Sequence, residues 1–230
     1  MANRSQLSIG GWSAIVGALL AFVANALHPQ GATADELLGD TASFKLWTLL
    51  HFGIIVAAIL ILIGLATLAQ SFITERAAAL SKVAFVIAQI GAVVLIVGIS
   101  IDGFASKKLA DGWVAATQAD KASAYQLAIA VDQIQGGLFA MWVLLIFGLP
   151  FLLFGLAILT GDGYPRWLGA IAVLGGIACS IFGTKQFLDA TPNTPFTLLF
   201  LAGSTALILW TLVLGILMTR RARLLPAVQR

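Results

Sequence analysis

The chain has only two histidines, His28 and His51, and each stands at the same end of one of two adjacent apolar runs. Imidazole is the side chain that most readily binds a metal or exchanges a proton near neutral pH. Asp102, Asp132 and Lys185 fall near the ends of three further apolar runs, and the same end is implied for each. Depth follows from the helical rise of about 1.5 Å per residue and a hydrocarbon crossing of about 20 residues. Counting from the basic anchors brings His28, His51, Asp102 and Lys185 to one outer layer. Asp132 and Gln135 lie one or two turns higher, and Asn25 one turn below His28.

Ionisable groups at membrane depth are costly and generally face a bundle interior or a water-filled cavity. The expected ligand pocket is therefore Asn25, His28, His51, Asp102, Asp132, Gln135 and Lys185. Three chemistries are open to it. The plainest is interfacial decoration, with His28-Pro29 ending a helix and Asp102 meeting headgroups. A second is a zinc site, in which His28 and His51 with Asp102 or Asp132 supply nitrogen and oxygen donors, and an open fourth position permits hydrolysis. A third is a b-type haem with His28 and His51 as axial ligands, given room by Gly31, Gly53, Gly136 and Gly137. HExxH spacing, Gly-x-Ser-x-Gly and a phosphate-cradling glycine loop are all missing from the sequence.

The elements that position these residues are membrane spans. Hydrophobic residues make up 60% of the 230 and charged residues 10%, too little polar surface to cover a soluble core. Uncharged apolar runs occupy about 10–27, 47–68, 83–101, 137–159, 167–184 and 196–218. Lipid offers backbone groups no partner, and barrel alternation is absent, so the runs are read as helices. The expected fold is all-α, one integral membrane bundle of six transmembrane helices. The single cysteine, Cys179, lies inside a run and reads as a small buried hydrophobe.

Basic residues set the orientation. Arg4, Arg76, Lys82, Arg166, Arg220, Arg221, Arg223 and Arg230 share the face of the termini with only Glu75 and Asp162. The other face carries Lys45, Lys107, Lys108, Lys121 and Lys185 against eight acids. By the positive-inside rule both termini are expected to be cytoplasmic, in a multi-pass protein of the cell (inner) membrane. Trp12 and Trp167 then mark the inner interface and Trp47 the outer one. Arg4, the following apolar stretch and Ala24-Asn25-Ala26 also carry a weak signal-peptide pattern.

Between the spans, 161–166 reads as a tight turn, making the fourth and fifth spans a hairpin. Thr33-Ala34-Asp35-Glu36 is a capping box that would start a short helix. Segment 103–131 reads as an alanine-rich outer connection with a turn at Asp111-Gly112, its second half extending the fourth helix. Pro150, in the middle of the fourth span, cannot donate to Ile146 and should kink it. Small-residue stripes at Gly10, Ala14, Gly17 and Ala21, and at Gly169, Ala172, Gly176 and Ser180, suit close helix packing or an oligomer contact. Gly64-Leu65-Ala66-Thr67-Leu68 and Gly155-Leu156-Ala157-Ile158-Leu159 form a faint internal echo.

His28-Pro29 and the segment from Gly163 to Gly169 give the chain a layout similar to small six-span bacterial membrane proteins; the resemblance covers span layout and carries no catalytic residue. No arginine-rich stripe with interleaved aromatics is present, which excludes nucleic-acid binding. The expected function is a carrier-like protein or accessory subunit with a small pocket at its non-cytoplasmic rim. Its partners would be bilayer lipid, other membrane subunits or a second copy. The alternative is a membrane-embedded metal-dependent hydrolase or a b-haem redox protein using His28 and His51.

Overall fold

The computed structural model of the protein describes residues 2–29, 33–189 and 194–226. Gly31 and Arg230, which entered the reading above, lie outside them. Among the described residues the chain is helical with no strand, and six helices are long and apolar enough to cross a membrane. The spans contain α1 (Arg4–Leu27), α3 (Trp47–Ala69), α4 (Glu75–Ser100), α6 and α7 (Lys121–Trp142 and Leu149–Thr160), α8 (Arg166–Asp189) and α9 (Thr194–Leu224). Two short helices, α2 (Ala34–Ser43) and α5 (Lys107–Ala115), sit at one end of the bundle. The protein is a multi-pass membrane protein. Exposed Val16, Leu19, Phe22, Val86, Ile90, Val93 and Leu174 are the kind of surface that a bilayer covers.

Close packing comes from the small residues. A Cβ at Gly10 would fall 2.1 Å from Thr67 Oγ1, and one at Gly64 would fall 2.8 Å from Ala14 Cβ, so α1 and α3 nearly touch. The other side of α1 meets α9, where a Cβ on Gly215 would be 2.6 Å from the Gly11 carbonyl oxygen. The second stripe works the same way: a Cβ at Gly176 would fall 2.5 Å from Leu152 N. Both stripes thus meet helices of the same chain. Under them runs one apolar core that includes Leu68, Phe151, Phe154, Leu168, Trp210 and Leu214.

Local signals explain most boundaries. Thr33 caps α2 reciprocally, its Oγ1 accepting from Glu36 N–H while Glu36 Oε2 accepts from Thr33 N–H. The α7–α8 hairpin turns at Gly163, whose φ of 102° favours a residue without a Cβ.

One segment departs from the sequence reading, and the fourth span shows how its proline is accommodated. The Asp111-Gly112 pair does not turn the chain; it lies inside α5. Ala110 packs there with Leu38 and Ala128, and Lys107 bridges Asp111 one turn on, which offsets the weak helix propensity of the pair. At Pro150 the adaptation lies upstream of the ring. Residues Val143–Gly148 form a π-helical segment, with Leu149 N–H donating to Leu144 O, and Pro150 then sits in the first turn of α7. A wider turn placed before a proline accommodates the missing donor and the ring together.

Candidate metal centre at the membrane rim

Three helices bring the chemistry together. His28 caps the C-terminus of α1, His51 lies one turn into α3, and Asp102 belongs to a second π-helical segment, Ile101–Ser106, that joins α4 to α5. A π-turn shifts helical register by one residue and often occurs at functional positions. Gly103, the next residue, permits the approach: a Cβ there would lie 2.5 Å from His51 Cβ.

One ligand atom from each of His28, His51 and Asp102 lies within 4.8 Å of the others. His51 is 1% exposed and Asp102 20%, with Nε2 to Oδ2 at 3.2 Å. On its other side His51 Nδ1–H donates to Trp47 O at 2.7 Å. Both ring nitrogens of His51 therefore face acceptors. A neutral imidazole has only one N–H to give, so a further positive charge, either a proton or a metal ion, satisfies the pair. His28 Nδ1–H is directed at Pro29 O, 2.9 Å away. Burial pushes the His28 pKa down, more strongly than the neighbouring Asp102 lifts it, so its neutral, ligand-competent form is favoured.

Trp47 completes the cluster. It does not mark the outer interface: it is 1% exposed. Its ring lies 5.0 Å from His28 and 4.5 Å from His51, and its Nε1–H donates to Asp102 O at 2.9 Å. Thr48 Oγ1–H donates likewise to Gly103 O, at 3.0 Å. The π-turn carrying Asp102 is thus held by two side chains of α3. The signal available in sequence was spacing alone: Trp47 stands four residues before His51, on the same helical face.

The cluster opens onto a cavity of about 110 Å³. Its polar wall includes His28, Trp47, Asp102, Asp132, Gln135, Thr41 and Ser106; its apolar wall is Ala34, Leu37, Leu38, Ala128 and Ile129. Of the residues singled out in the sequence, His28, Asp102, Asp132 and Gln135 line this cavity and His51 lies beside it, its ring 5.2 Å from His28. Gln135 Oε1 is buried without a hydrogen-bond partner and rests near Gly98.

Two expected members are elsewhere. Asn25 is exposed on α1 and does not line the cavity. Lys185 pairs with Asp189 on its own helix and lies over the Phe196 ring, because α8 packs against α7 and α9, away from α3. The depth expected from sequence said nothing of azimuth around the bundle. Gly53, Gly136 and Gly137 face open space and are likewise not cavity-lining.

A family model described as "Domain of unknown function (DUF4386)" matches residues 9–221, nearly the whole chain, and the chain belongs to that family. No curated protein and no solved structure matches it.

Proposed function

We propose that this DUF4386 protein is a membrane metalloprotein that holds one zinc ion through His28, His51 and Asp102, in the manner of a membrane-embedded metal-dependent hydrolase. The cluster itself carries this reading. Two ligands about 2.0–2.1 Å from a tetrahedral ion lie roughly 3.3 Å apart, and the His51–Asp102 separation of 3.2 Å fits that edge. Both imidazoles also direct Nδ1–H at a backbone carbonyl, the outer-shell contact that orients zinc-ligating histidines. Three protein ligands leave a fourth position for water or substrate, and the cavity lies beside them.

The geometry favours a single ion over a b-type haem. The two imidazoles stand 5.2 Å apart, edge to face, with Trp47 packed on both, and a macrocycle would have to be inserted between rings already in contact. It also favours metal chemistry over the carrier or accessory reading. Of the obvious mid-depth polar residues, Gln89 is exposed on the bundle surface and Ser204 donates to Leu201 of its own helix. Ion-coupled carriers generally place polar substrate or ion contacts at that depth.

Purified protein should contain about one zinc per chain by elemental analysis, falling below about a tenth in His51→Ala, since loss of a ligand removes most of the affinity. Equal zinc in the two proteins would sink the reading. The distribution of Lys and Arg supports an orientation with both termini cytoplasmic and the cluster on the non-cytoplasmic side. A terminal tag accessible from outside intact cells would reverse that orientation.

A further inference from the structure

We infer that Asp132 is the proton acceptor for hydrolysis at this site, and that the substrate is a neutral carboxylic ester or amide with a short apolar acyl group. This rests on the zinc reading above. Asp132 belongs to α6, one turn before Gln135, and both line the cavity onto which His28 and Asp102 also open. Among the described residues Asp132 has no ion-pair or hydrogen-bond partner, so its carboxylate is uncommitted.

The wall chemistry selects the substrate. Two carboxylates, Asp102 and Asp132, line the cavity, and no lysine or arginine does. Lys107, next in sequence to the lining Ser106, is held by Asp111 and by Ala42 O. An anionic phosphate or sulfate ester entering this space would find the zinc charge already partly neutralised by Asp102, and would meet the Asp132 carboxylate with no lysine or arginine to offset it. An uncharged carbonyl compound meets no such penalty. Leu37, Leu38, Ala128 and Ile129 offer its acyl chain an apolar wall, and the small volume keeps that chain short.

The step balances without an oxidant or reductant. Water at the open face of the cluster gives a proton to Asp132 while its oxygen bonds to the acyl carbon. The carbon–oxygen or carbon–nitrogen bond to the leaving group breaks, and the leaving atom takes the proton from Asp132. One water is consumed, giving a carboxylic acid and an alcohol or amine. Zinc, when bound, polarises the carbonyl and the water.

The test uses full-length protein in lipid nanodiscs loaded with zinc. The probes are p-nitrophenyl butyrate, a neutral ester, and p-nitrophenyl phosphate, an anionic one. Expected is zinc-dependent turnover of the butyrate and none of the phosphate. Asp132→Asn should keep its zinc and lose about 100-fold or more in rate, the usual size of a general-base contribution. His51→Ala, prepared identically, sets the background. Zinc at one per chain without butyrate turnover above that background would overturn this inference and leave the metal reading standing. So would faster phosphate cleavage, or an unimpaired Asp132→Asn. Absence of zinc from the wild-type protein would overturn both.

Discussion

The two ends of the bundle each carry an aromatic-polar cluster, and they differ in which half of the hydrogen bond is in excess. At the end of the α7–α8 hairpin, Tyr164 OH and Ser71 Oγ lie 3.0 Å apart, Ser71 Oγ–H donates to Leu68 O, and the Arg221 guanidinium lies 5.6 Å over the Tyr164 ring. Arg221 Nη1 is buried there without a hydrogen-bond partner. The chain supplies its own cation, and the leftover capacity is a donor. At the rim, the leftover capacity is an acceptor: Gln135 Oε1 is buried without a hydrogen-bond partner, both ring nitrogens of His51 face oxygens, and no cation of the chain lines the cavity. Similar side-chain types thus make a structural tie at one end and the proposed cation site at the other. Buried polar groups left short of partners are costly, so the acceptor-rich end is the one that gains from an added positive ion.

Three substitutions test that contrast, the largest effect first. Gly103→Ala should remove most of the zinc, because the new methyl would stand 2.5 Å from His51 Cβ and must push α3 from the π-turn. Overpacking of this kind costs about 1–3 kcal/mol, so the melting temperature should fall as well. A variant that keeps full zinc would show that the close approach does not set the ligand geometry. Trp47→Phe should weaken zinc binding by about tenfold, by freeing the Asp102 carbonyl from its indole donor while keeping an aromatic ring against the histidines. Competition with a zinc-binding dye measures it, and unchanged affinity would remove Trp47 from the site.

The smallest effect belongs to the other end. Tyr164→Phe should leave zinc binding intact and cost about 1 kcal/mol of stability from the lost hydroxyl contact with Ser71. Burial holds the Tyr164 hydroxyl above its ordinary pKa of 10.0. Its contribution is therefore fully present below that pH and lost as pH rises past 10.0 through the folded-state value, because the unfolded chain ionises first. Thermal melts across that range should show a steeper alkaline decline in wild type than in the phenylalanine variant. Parallel declines would mean that Tyr164 does not report on this cluster.

Sequence and structure contribute unequally to these conclusions. His28, His51, Asp102 and Asp132 could be picked out because ionisable residues near apolar runs are few, and a known rise per residue converts position into depth. Azimuth could not be read in the same way. Lys185 has the sequence position expected for the depth of the histidines yet faces α9, and Trp47 has the profile of an interfacial anchor yet packs against both histidines. The two π-helical segments were illegible for a related reason. A one-residue register shift leaves no mark in composition, and at Asp102 it is sustained by Trp47 and Thr48 reaching from a different helix.

By itself, the sequence determined six helical spans. Hydrocarbon leaves backbone groups no partner outside the helix, so length and apolarity suffice to assign them. The depth of each ionisable residue followed from the same geometry. Only the tertiary structure decided which of those residues meet. Contact around a bundle depends on how glycine and alanine stripes set each helix's rotation and spacing, a property of pairs of helices that no single span encodes.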